Sequence, residues 1–448
     1  MRVQFGLSSY ERPKGDMPAL PVRNMVVEQA PTEEGGVVLQ SRPGLEDRGV
    51  SMGAGPVRAL FMRDLVLESE LFGVSSGSLY QGSTLIGAIS GIGPVSMAGN
   101  EIGLMTTAGS SAYFYNGTVL NPVEFPDNAT VAHVSVGGSR YWFVRKDTGK
   151  LYWTDALQSD VEALDFLTAE SLPDRLYMTL WIDGGLIAFG AESIEFFQQT
   201  GDSELPIRPL INMVIEKGIR GVNCATAIGH TFAAVTNENT VIYQSEQTII
   251  SNPGLQARIE ASTDCSLFTF LLDGDEFLAL RLDDETQVWN PRTQLWSEFA
   301  SYGETNWIVT CSAGGIMGAE SGQTLRWSTG HQDMGGVLER KIAFGFPLDG
   351  GGVIIDNLRA RCNVGQSPFL TGQYASPQIE MRLSDDAGQT FGDWEAVSLG
   401  EQGEYRTMPE WRALGMASYP AFYGELRVTD PVDFRLSGIT VNEPKGGR

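Results

Sequence analysis

The sequence predicts an all-β fold: a β-propeller of about seven blades, followed by a C-terminal antiparallel β-sandwich and preceded by an irregular N-terminal arm. Three observations predict it. A short pattern of apolar strand, polar turn and second strand ending in an aromatic residue occurs seven times. The chain has 53 glycines and 21 prolines in 448 residues, which suits many short strands joined by turns. After Trp327 the pattern stops and a different spacing of strands begins.

The aromatic residue that closes each copy sets the period of the repeat. These residues are Tyr80, Tyr115, Trp153, Phe197, Tyr243, Trp289 and Trp327. They are 35, 38, 44, 46, 46 and 38 residues apart. A period of about 40 to 45 residues in a strand-rich chain is typical of β-propellers, in which each blade of about four strands buries its faces against its neighbours.

Residues 1–50 are predicted to be an extended N-terminal arm, because their prolines exclude a long helix or a central strand. Residues 51–335 are predicted to be the propeller. Its clearest repeat has strands at 131–136, 140–145, 150–154 and near 164–168. The first strand of each repeat is nearly all apolar, as expected if the innermost strands are buried on both faces.

Residues 336–448 are predicted to be a separate β-sandwich. About five strands with turn signals between them fill this part of the chain. They are expected at 353–361, 378–383, 394–397, 423–429 and 434–440.

The chain is strongly acidic, with a net charge of -24 from 55 acidic and 31 basic residues. A protein that grips DNA through its phosphates needs a basic surface, so the composition argues against such binding. An acidic lumen can still let DNA pass, because like charges repel the phosphates. Acidity that only keeps the protein soluble is the simpler alternative. The sequence lacks the roughly 20 consecutive apolar residues of a membrane span and a recognisable signal peptide, so the protein is expected to be soluble, not inserted in a membrane and not exported through the Sec pathway. It is expected to be made in the cytoplasm of the bacterial host.

The sequence predicts no catalytic, cofactor-binding or metal-ligating residues and no cofactor. Its four cysteines, Cys224, Cys265, Cys311 and Cys362, form no Cys-x-x-Cys pair, which favours buried free thiols over a zinc site or a disulfide framework. The histidines, His133, His230 and His331, occur at similar points of separate repeats and have no ligand spacing. Because nucleophile-elbow and phosphate-loop motifs are also missing, the chain is predicted not to be an enzyme.

Three local clusters have both a structural and a functional interpretation. Residues 384–391 match the Asp-box pattern of sialidases, but a single copy favours a folding device at a hairpin turn. The acidic groups at 273–276 and 283–285 resemble calcium ligands or paired carboxylates, yet both fall on predicted turns. Arg340, Lys341, Arg359 and Arg361 form a modest basic group that could meet an acidic partner or a DNA backbone, although scattered surface charge is the simpler interpretation.

Four short motifs resemble a known family. They are SRPGL at 41–45, IEFFQQTG at 194–201, IEKGIRG at 215–221 with Cys224 following, and LRVTDPV at 426–432. In this order they resemble the packaged-DNA stabilisation proteins of short-tailed, podovirus-type bacteriophages, which are tail hub or head-completion proteins.

The resemblance implies a structural protein of the virion tail that forms a ring of six copies at the portal vertex. The ring would lie below the portal and its adaptor, extend the DNA channel and stabilise the packaged genome. It would pass genomic DNA without sequence-specific binding and support a tail needle or plug, with tail fibres or tailspikes as further partners. The alternative is a carbohydrate-binding or sialidase-like β-propeller, such as a receptor-binding tail protein.

Overall fold

The computed structural model describes residues 2–10, 20–30, 36–168, 174–244, 247–348, 351–386, 388–418 and 421–442. The described chain is almost entirely β-structure, with one α-helix of 9 residues, α1, at Pro253–Ala261. Two short 3-10 turns lie at Leu67–Ser69 and Pro126–Asn128. No helix in this part of the chain is both long and apolar enough to cross a membrane.

The N-terminal segment contributes strands to both halves of the molecule. They are β1 (Arg2–Phe5), β2 (Val22–Arg23), β3 (Met25–Gln29), β4 (Val37–Ser41) and β5 (Leu45–Ser51). The prediction of an irregular arm is therefore wrong for the described residues. Strand β1 lies between two strands of the C-terminal half, with Gln4 opposite Gly345 and Val3 opposite Ile439.

Five consecutive four-stranded antiparallel sheets follow, which we call blades 1 to 5. Blade 1 is β6 (Val57–Phe61), β7 (Phe72–Ser75), β8 (Ser78–Gln81) and β9 (Thr84–Ala88). Blade 2 is β10 (Val95–Asn100), β11 (Gly103–Ala108), β12 (Ser111–Tyr115) and β13 (Leu120–Val123). Blade 3 is β14 (Val131–Gly137), β15 (Arg140–Arg145), β16 (Lys150–Trp153) and β17 (Phe166–Thr168).

Blade 4 is β18 (Leu176–Ile182), β19 (Gly185–Gly190), β20 (Ile194–Gln199) and β21 (Ile207–Ile215). Blade 5 is β22 (Ala225–Ile228), β23 (Thr231–Val235), β24 (Val241–Tyr243) and β25 (Thr248–Ile249). The next four strands, the junction unit, are β26 (Cys265–Leu272), β27 (Asp275–Leu282), β28 (Thr286–Asn290) and β29 (Leu295–Phe299). They have the same up-and-down order but continue into a larger sheet.

A sixth separate sheet, the closing blade, takes its outer strand from the N-terminal segment. Its strands are β30 (Val309–Ala313), β31 (Ile316–Ala319), β32 (Gln323–Trp327) and β5. Leu45 lies opposite Trp327, so the two ends of the propeller sequence meet in one sheet. The seven repeated aromatic residues all lie on the third strand of a four-stranded unit.

The pattern of burial differs from the prediction in one respect. In blades 1 to 5 and the closing blade, the second strand, not the first, is the most completely buried; β11 and β15 are almost wholly buried. In the junction unit, the third strand β28 is the most completely buried. First strands such as β6 are partly exposed because they line the centre of the propeller. Fourth strands such as β9 and β17 reach the solvent, as predicted.

The C-terminal domain is a β-sandwich. Its strands are β33 (Arg340–Pro347), β34 (Val353–Cys362), β35 (Gln378–Ser384), β36 (Glu395–Ser398), β37 (Glu410–Ala417), β38 (Ala421–Val428) and β39 (Arg435–Val441). One layer has the order β2-β33-β38-β35-β36 and the other has the order β37-β34-β39-β4-β3, with β1 joining β33 to β39. The sequence interpretation missed β33 and β37, and the N-terminal strands complete the core between the layers.

The sandwich and the propeller share a continuous sheet. Strand β2 pairs with β33 of the sandwich on one side and runs parallel to β29 of the junction unit on the other, with Arg23 opposite Glu298. The N-terminal segment therefore joins the two domains through backbone hydrogen bonds.

Candidate functional site: the domain junction and the centre of the propeller

Arg42, in the first family-like motif, lies at the junction of the two domains and is 0% exposed. Its guanidinium donates to both carboxylate oxygens of Asp333, at 2.9 and 2.6 Å. The same group lies 5.4 Å from the ring centre of Phe299 and 5.8 Å from that of Trp307. A buried cation of this kind needs both the carboxylate and the aromatic faces to replace its lost hydration.

Asn24 connects this cation to both domains. Its side-chain oxygen accepts from Nε of Arg42 at 2.9 Å and from the backbone N–H of Ala300 at 3.1 Å. Its amide donates to the carbonyls of Ala300 and Glu339 at 2.9 and 2.8 Å. With φ of 55°, Asn24 has the left-handed conformation that asparagine tolerates better than most residues.

The glycine of the same motif is required by close packing. A Cβ atom at Gly44 would lie 2.1 Å from the carbonyl oxygen of Gln332. Leu45, the next residue, donates its backbone N–H to that carbonyl at 3.1 Å and begins the outer strand of the closing blade. The motif at 41–45 is thus a structural joint between the N-terminal segment, the propeller and the linker to the sandwich.

The motif at 426–432 belongs to the same junction. Arg340 is almost fully buried and donates to the carbonyls of Asp430 and Val432 at 2.6 and 3.2 Å. Burial, together with the nearby charge of Arg42, lowers the pKa of Arg340 to about 10. The fourth motif therefore supplies backbone acceptors for a buried cation.

The predicted basic group does not form an open cationic patch. Lys341 lies 3.5 Å from the carboxylate of Glu425, and Arg359 donates to Glu410 at 2.9 Å. Because these side chains have acidic partners, the basic group offers no evidence for contact with a DNA backbone.

The motif at 215–221 packs two blades together. A Cβ atom at Gly218 would lie 2.0 Å from the carbonyl of Ala191 in a turn of blade 4. Arg220 donates to the carbonyls of Ile259 and Ser262, at the end of helix α1. This motif therefore holds the connection between blades 4 and 5 against the helix that follows blade 5.

The centre of the propeller is a small cavity of about 250 Å³. The first strands β6, β10, β14, β18, β22, β26 and β30 all contribute residues to its wall. His133 lies there, and its burial lowers its pKa to about 3, so that the ring is neutral at physiological pH. The three histidines do not occupy equivalent positions: His230 lies in the exposed turn of blade 5, and His331 follows the closing blade.

The Asp box folds as a hydrogen-bonded turn. The carboxylate of Asp386 accepts from the backbone N–H groups of Gln389 and Thr390 at 2.9 and 2.8 Å and from the hydroxyl of Thr390 at 2.6 Å. Ser384 Oγ accepts from the N–H of Gly388 at 2.7 Å. These contacts, led by the hydroxyl of Thr390, lower the pKa of Asp386 to about 2.

Phe391, the aromatic residue of the Asp box, packs against an arginine side chain of the sandwich. The Arg382 guanidinium lies 4.1 Å from the ring centre of Phe391 and 4.6 Å from that of Trp394. Arg427 covers the same Trp394 ring at 4.1 Å. The turn is thereby fixed to the sandwich through cation–π contacts, which agrees with a folding role.

Asp386→Asn is expected to lower the urea midpoint of unfolding at pH 7, because an amide accepts fewer and weaker hydrogen bonds than a carboxylate. The folded-state pKa of Asp386 is depressed, so its stabilising effect is present above the ordinary value of 3.8 and is lost as pH falls through about 2. The difference between the two proteins should therefore shrink below pH 4. Asp385→Asn is the control, since Asp385 is exposed and makes no hydrogen bond among the described contacts. Equal midpoints for Asp386→Asn and the parent at pH 7 would contradict this role.

Both predicted acidic turns are present. Asp273 and Gly274 form a two-residue hairpin turn with φ of 52° and 84°. Asp283 accepts from the backbone of Thr263 and Asp264 at 2.7 and 3.0 Å, and Glu285 pairs with Arg258 at 2.8 Å. Among the described residues, no group of three or more His, Cys, Asp or Glu side chains is arranged to hold a metal ion.

Exposed apolar side chains gather on one face of blades 1 to 4. They are Met62, Leu65, Val119, Leu157, Leu164 and Leu205. All six lie in connections between first and second or third and fourth strands, which end on the same face of a propeller. Leu65 and Leu164 are 89% and 86% exposed. We call this surface the apolar face; the opposite face carries Ile92, which is 97% exposed.

Comparison with known proteins identifies the family. The sequence profile described as "Bacteriophage P22 Gp10, beta-propeller" matches residues 3–302, which is more than half of the chain. The chain belongs to the bacteriophage P22 Gp10 family. The profile described as "Bacteriophage P22 Gp10, beta-sandwich" matches residues 344–443, so the Gp10 domains occur in the predicted order. These matches confirm the resemblance inferred from the four motifs.

A curated relative within the Gp10 family is the "Tail hub protein gp10" of Salmonella phage P22. It is 24% identical over 284 residues, which cover 56% of this chain and 58% of the relative. The chain thus aligns with less than two thirds of the length of that relative. The name of this relative describes a tail hub protein and not an enzyme, and membership of the family does not favour the sialidase-like alternative.

Two solved structures have low similarity to this chain. The BBS1N chain crystallised with ARL6DN has a TM-score of 0.43 and 12% identity, covering 64% of this chain and 98% of its own. The propeller domain of Cps50 (Swd1) from Myceliophteria thermophila has a TM-score of 0.43 and 10% identity, covering 64% of this chain and 99% of its own.

Proposed function

We propose that this chain is a tail hub protein that forms a ring of six copies at the portal vertex of a short-tailed phage. The observation that carries the proposal is the match of both Gp10 domains, in order, across most of the chain. The ring would bind the portal adaptor above and a tail needle, fibres or tailspikes below. It would extend the DNA channel and keep the packaged genome from leaking.

We further propose that the propeller, over residues 51–335, has seven blades and that the sandwich occupies residues 336–448. The junction unit counts as the seventh blade, in addition to the six separate four-stranded sheets. In support, β26 packs between β22 and β30, and the seven first strands contact one another in a closed circle. The described strands of the N-terminal segment 1–50 then pair with both domains and hold them together.

The centre of such a propeller cannot be the DNA channel. Its cavity of about 250 Å³ is lined by side chains of all the first strands. The major groove of B-DNA alone is about 12 Å wide, so a duplex is far larger than this space. A conduit for DNA therefore has to be built between several copies of the chain, which is what a ring supplies.

The net charge of -24 suits a ring that encloses DNA without holding it. Six copies multiply this charge, and a wall of like charge repels phosphates, so that a duplex slides without sticking. The pairing of Lys341 and Arg359 with glutamates also leaves these cations poorly suited to grip the phosphates.

We assign contact with a neighbouring copy to the apolar face. Permanent assemblies bury large and partly apolar surfaces, so several strongly exposed apolar side chains on one face suit a contact with another copy. Leu65 in blade 1 and Leu164 in blade 3 are the most exposed of its members. The sandwich joins the propeller at the junction unit, which leaves blades 1 to 4 available for this contact.

The proposal is tested by deleting the gene from its phage and supplying the protein from a plasmid. Particles without the protein should package DNA and then lose it, and wild-type protein should restore retention. The double variant Leu65→Asp and Leu164→Asp should fail to restore it, because two carboxylates would be buried without partners. Retained DNA is measured by nuclease protection of purified particles, and incorporation by protein gel.

The control is Ile92→Asp, which places one carboxylate on the opposite face and should restore retention. Circular dichroism of each purified variant establishes that it is folded. Full, stable, tailed particles that lack this protein and fail only to adsorb would overturn the hub proposal and make the chain a receptor-binding propeller. Full activity of the double variant would instead exclude the apolar face as the contact between copies.

A further inference from the structure

Two of the four cysteines meet inside the propeller, although they are 41 residues apart in sequence. The sulfur atoms of Cys224 and Cys265 lie 2.8 Å apart, and Cys224 Sγ also donates to the carbonyl of Cys265 at 3.2 Å. Both residues are buried, at 2% and 5% exposure. All four cysteines are free thiols in this structure.

The pair lies at a joint between two blades. Cys224 immediately precedes β22, the first strand of blade 5, and Cys265 begins β26, the first strand of the junction unit. The main chains beside the two cysteines are already hydrogen-bonded to each other, because the N–H of Leu267 donates to the carbonyl of Asn223 at 2.8 Å. A covalent bond between the sulfurs would therefore join neighbouring blades where their main chains are held in register.

We propose that Cys224 and Cys265 are a redox-active pair that a small peroxide oxidises to a disulfide between blades. The contact between the two sulfurs is the observation that carries this proposal. Sequence spacing alone gives no sign of it, since the pair has no Cys-x-x-Cys motif.

The chemistry assigns different roles to the two sulfurs. The hydrogen bond from Cys224, aided by the charge of Arg220, lowers the pKa of Cys265, so Cys265 deprotonates first. Its thiolate attacks one oxygen of hydrogen peroxide, the O–O bond breaks, and a sulfenic acid and water result once the leaving hydroxide takes up the proton of Cys265. Cys224 then attacks that sulfur, the S–O bond breaks, and its own proton leaves with the hydroxide as a second water. Two thiols and one peroxide thus give one disulfide and two waters.

The surroundings favour a small oxidant. Asn223, Ala225 and Ser266, which flank the two cysteines, line the central cavity of about 250 Å³. A peroxide molecule can enter such a space, whereas a peptide disulfide such as oxidised glutathione is much larger. In the virion assigned by the proposed function, oxidation would follow release from the reducing cytoplasm. The chemistry of the isolated protein does not depend on that assignment.

The test uses the full-length protein, purified under reducing conditions and treated at neutral pH with an equimolar amount of hydrogen peroxide. After alkylation of remaining thiols and digestion without reductant, mass spectrometry should find the peptides of Cys224 and Cys265 linked, and Cys311 and Cys362 alkylated. The oxidised protein should also unfold at a higher urea concentration, and dithiothreitol should reverse the shift. Full alkylation of Cys224 and Cys265 after peroxide treatment would overturn the proposal.

Cysteine-to-serine variants distinguish a specific disulfide between Cys224 and Cys265 from general oxidation of the thiols. Cys311→Ser should form the same linkage as the parent, because Cys311 lies in a different blade and is not in contact with the pair. Cys224→Ser should abolish the linkage and leave Cys265 as a sulfenic acid that a cyclic dione traps. If a serine variant does not fold, the parent protein still provides the test. Peroxide treatment of the folded parent should give only the disulfide between Cys224 and Cys265, whereas treatment of the urea-unfolded parent should give a mixture of disulfides. A mixture of disulfides from the folded protein would contradict the proposal that the fold holds these two thiols together as a specific pair.

Discussion

Replacing Arg42 with alanine is expected to lower the free energy of unfolding by about 3–5 kcal/mol, since removal of one partner of a buried ion pair leaves an uncompensated charge. The remaining carboxylate of Asp333 would keep only its hydrogen bond from the backbone of Leu45, at 3.1 Å. Asn24 would lose the hydrogen bond that its side-chain oxygen accepts from Nε of Arg42 at 2.9 Å. Urea unfolding of the purified protein, followed by tryptophan fluorescence, measures the change.

Arg326→Ala is the matched control for this prediction. Arg326 also pairs with a carboxylate, Glu46 at 2.7 Å, but the two side chains are 60% and 41% exposed. Exposed pairs contribute about 0 to 1 kcal/mol, so this variant should unfold close to the parent. An Arg42→Ala protein that also lost less than about 1 kcal/mol would show that water or another cation replaces the guanidinium, contrary to the buried network described above.

The propeller was predictable because its signal is local and repeated. Each blade closes within roughly 40 residues, and its aromatic residue recurs near the end of the third strand. The strands of blade 3 agree with the prediction to within two residues at their ends, and short turns separate the first three of them.

The role of the N-terminal segment could not be read from its own sequence. Strand β1 pairs with Gly345 and Ile439, and β5 pairs with Trp327, so the partners of these two strands are hundreds of residues away. Local proline content says nothing about such pairing. Strand β37 was missed for a related reason: it is an edge strand with four exposed residues, so its apolar alternation is weak.

The sequence singled out the motif at 41–45 but predicted neither its place at the domain junction nor its chemistry. The motif at 41–45 carried the family resemblance, yet arginine is rarely fully buried, so nothing in the motif predicted a cation enclosed by Asp333 and two aromatic rings. The contact of Cys224 with Cys265 was likewise hidden, because it depends on which blades are neighbours. In both cases the site is made by residues that the fold brings together from separate repeats.

Trp289→Ala tests whether the repeated aromatic residue is a structural centre of the blade. Trp289 is 1% exposed, its ring lies 5.0 Å from that of Tyr243 in blade 5, and it stands opposite Trp296 in the junction unit. Truncation of so large a buried side chain costs about 3–5 kcal/mol, because the cavity remains largely unfilled. Chemical unfolding followed by circular dichroism gives the value.

The comparison with Tyr302→Ala distinguishes blade packing from a general effect of losing an aromatic residue. Tyr302 is 56% exposed in the connection after the junction unit, and its replacement should change the free energy of unfolding by less than about 0.5 kcal/mol. A loss well under about 1 kcal/mol for Trp289→Ala would mean that its neighbours collapse into the space. The third-strand aromatic would then mark the period of the repeat without stabilising it. A large loss confined to Trp289 would instead show that the residue that reveals the propeller in the sequence also joins adjacent blades in the fold.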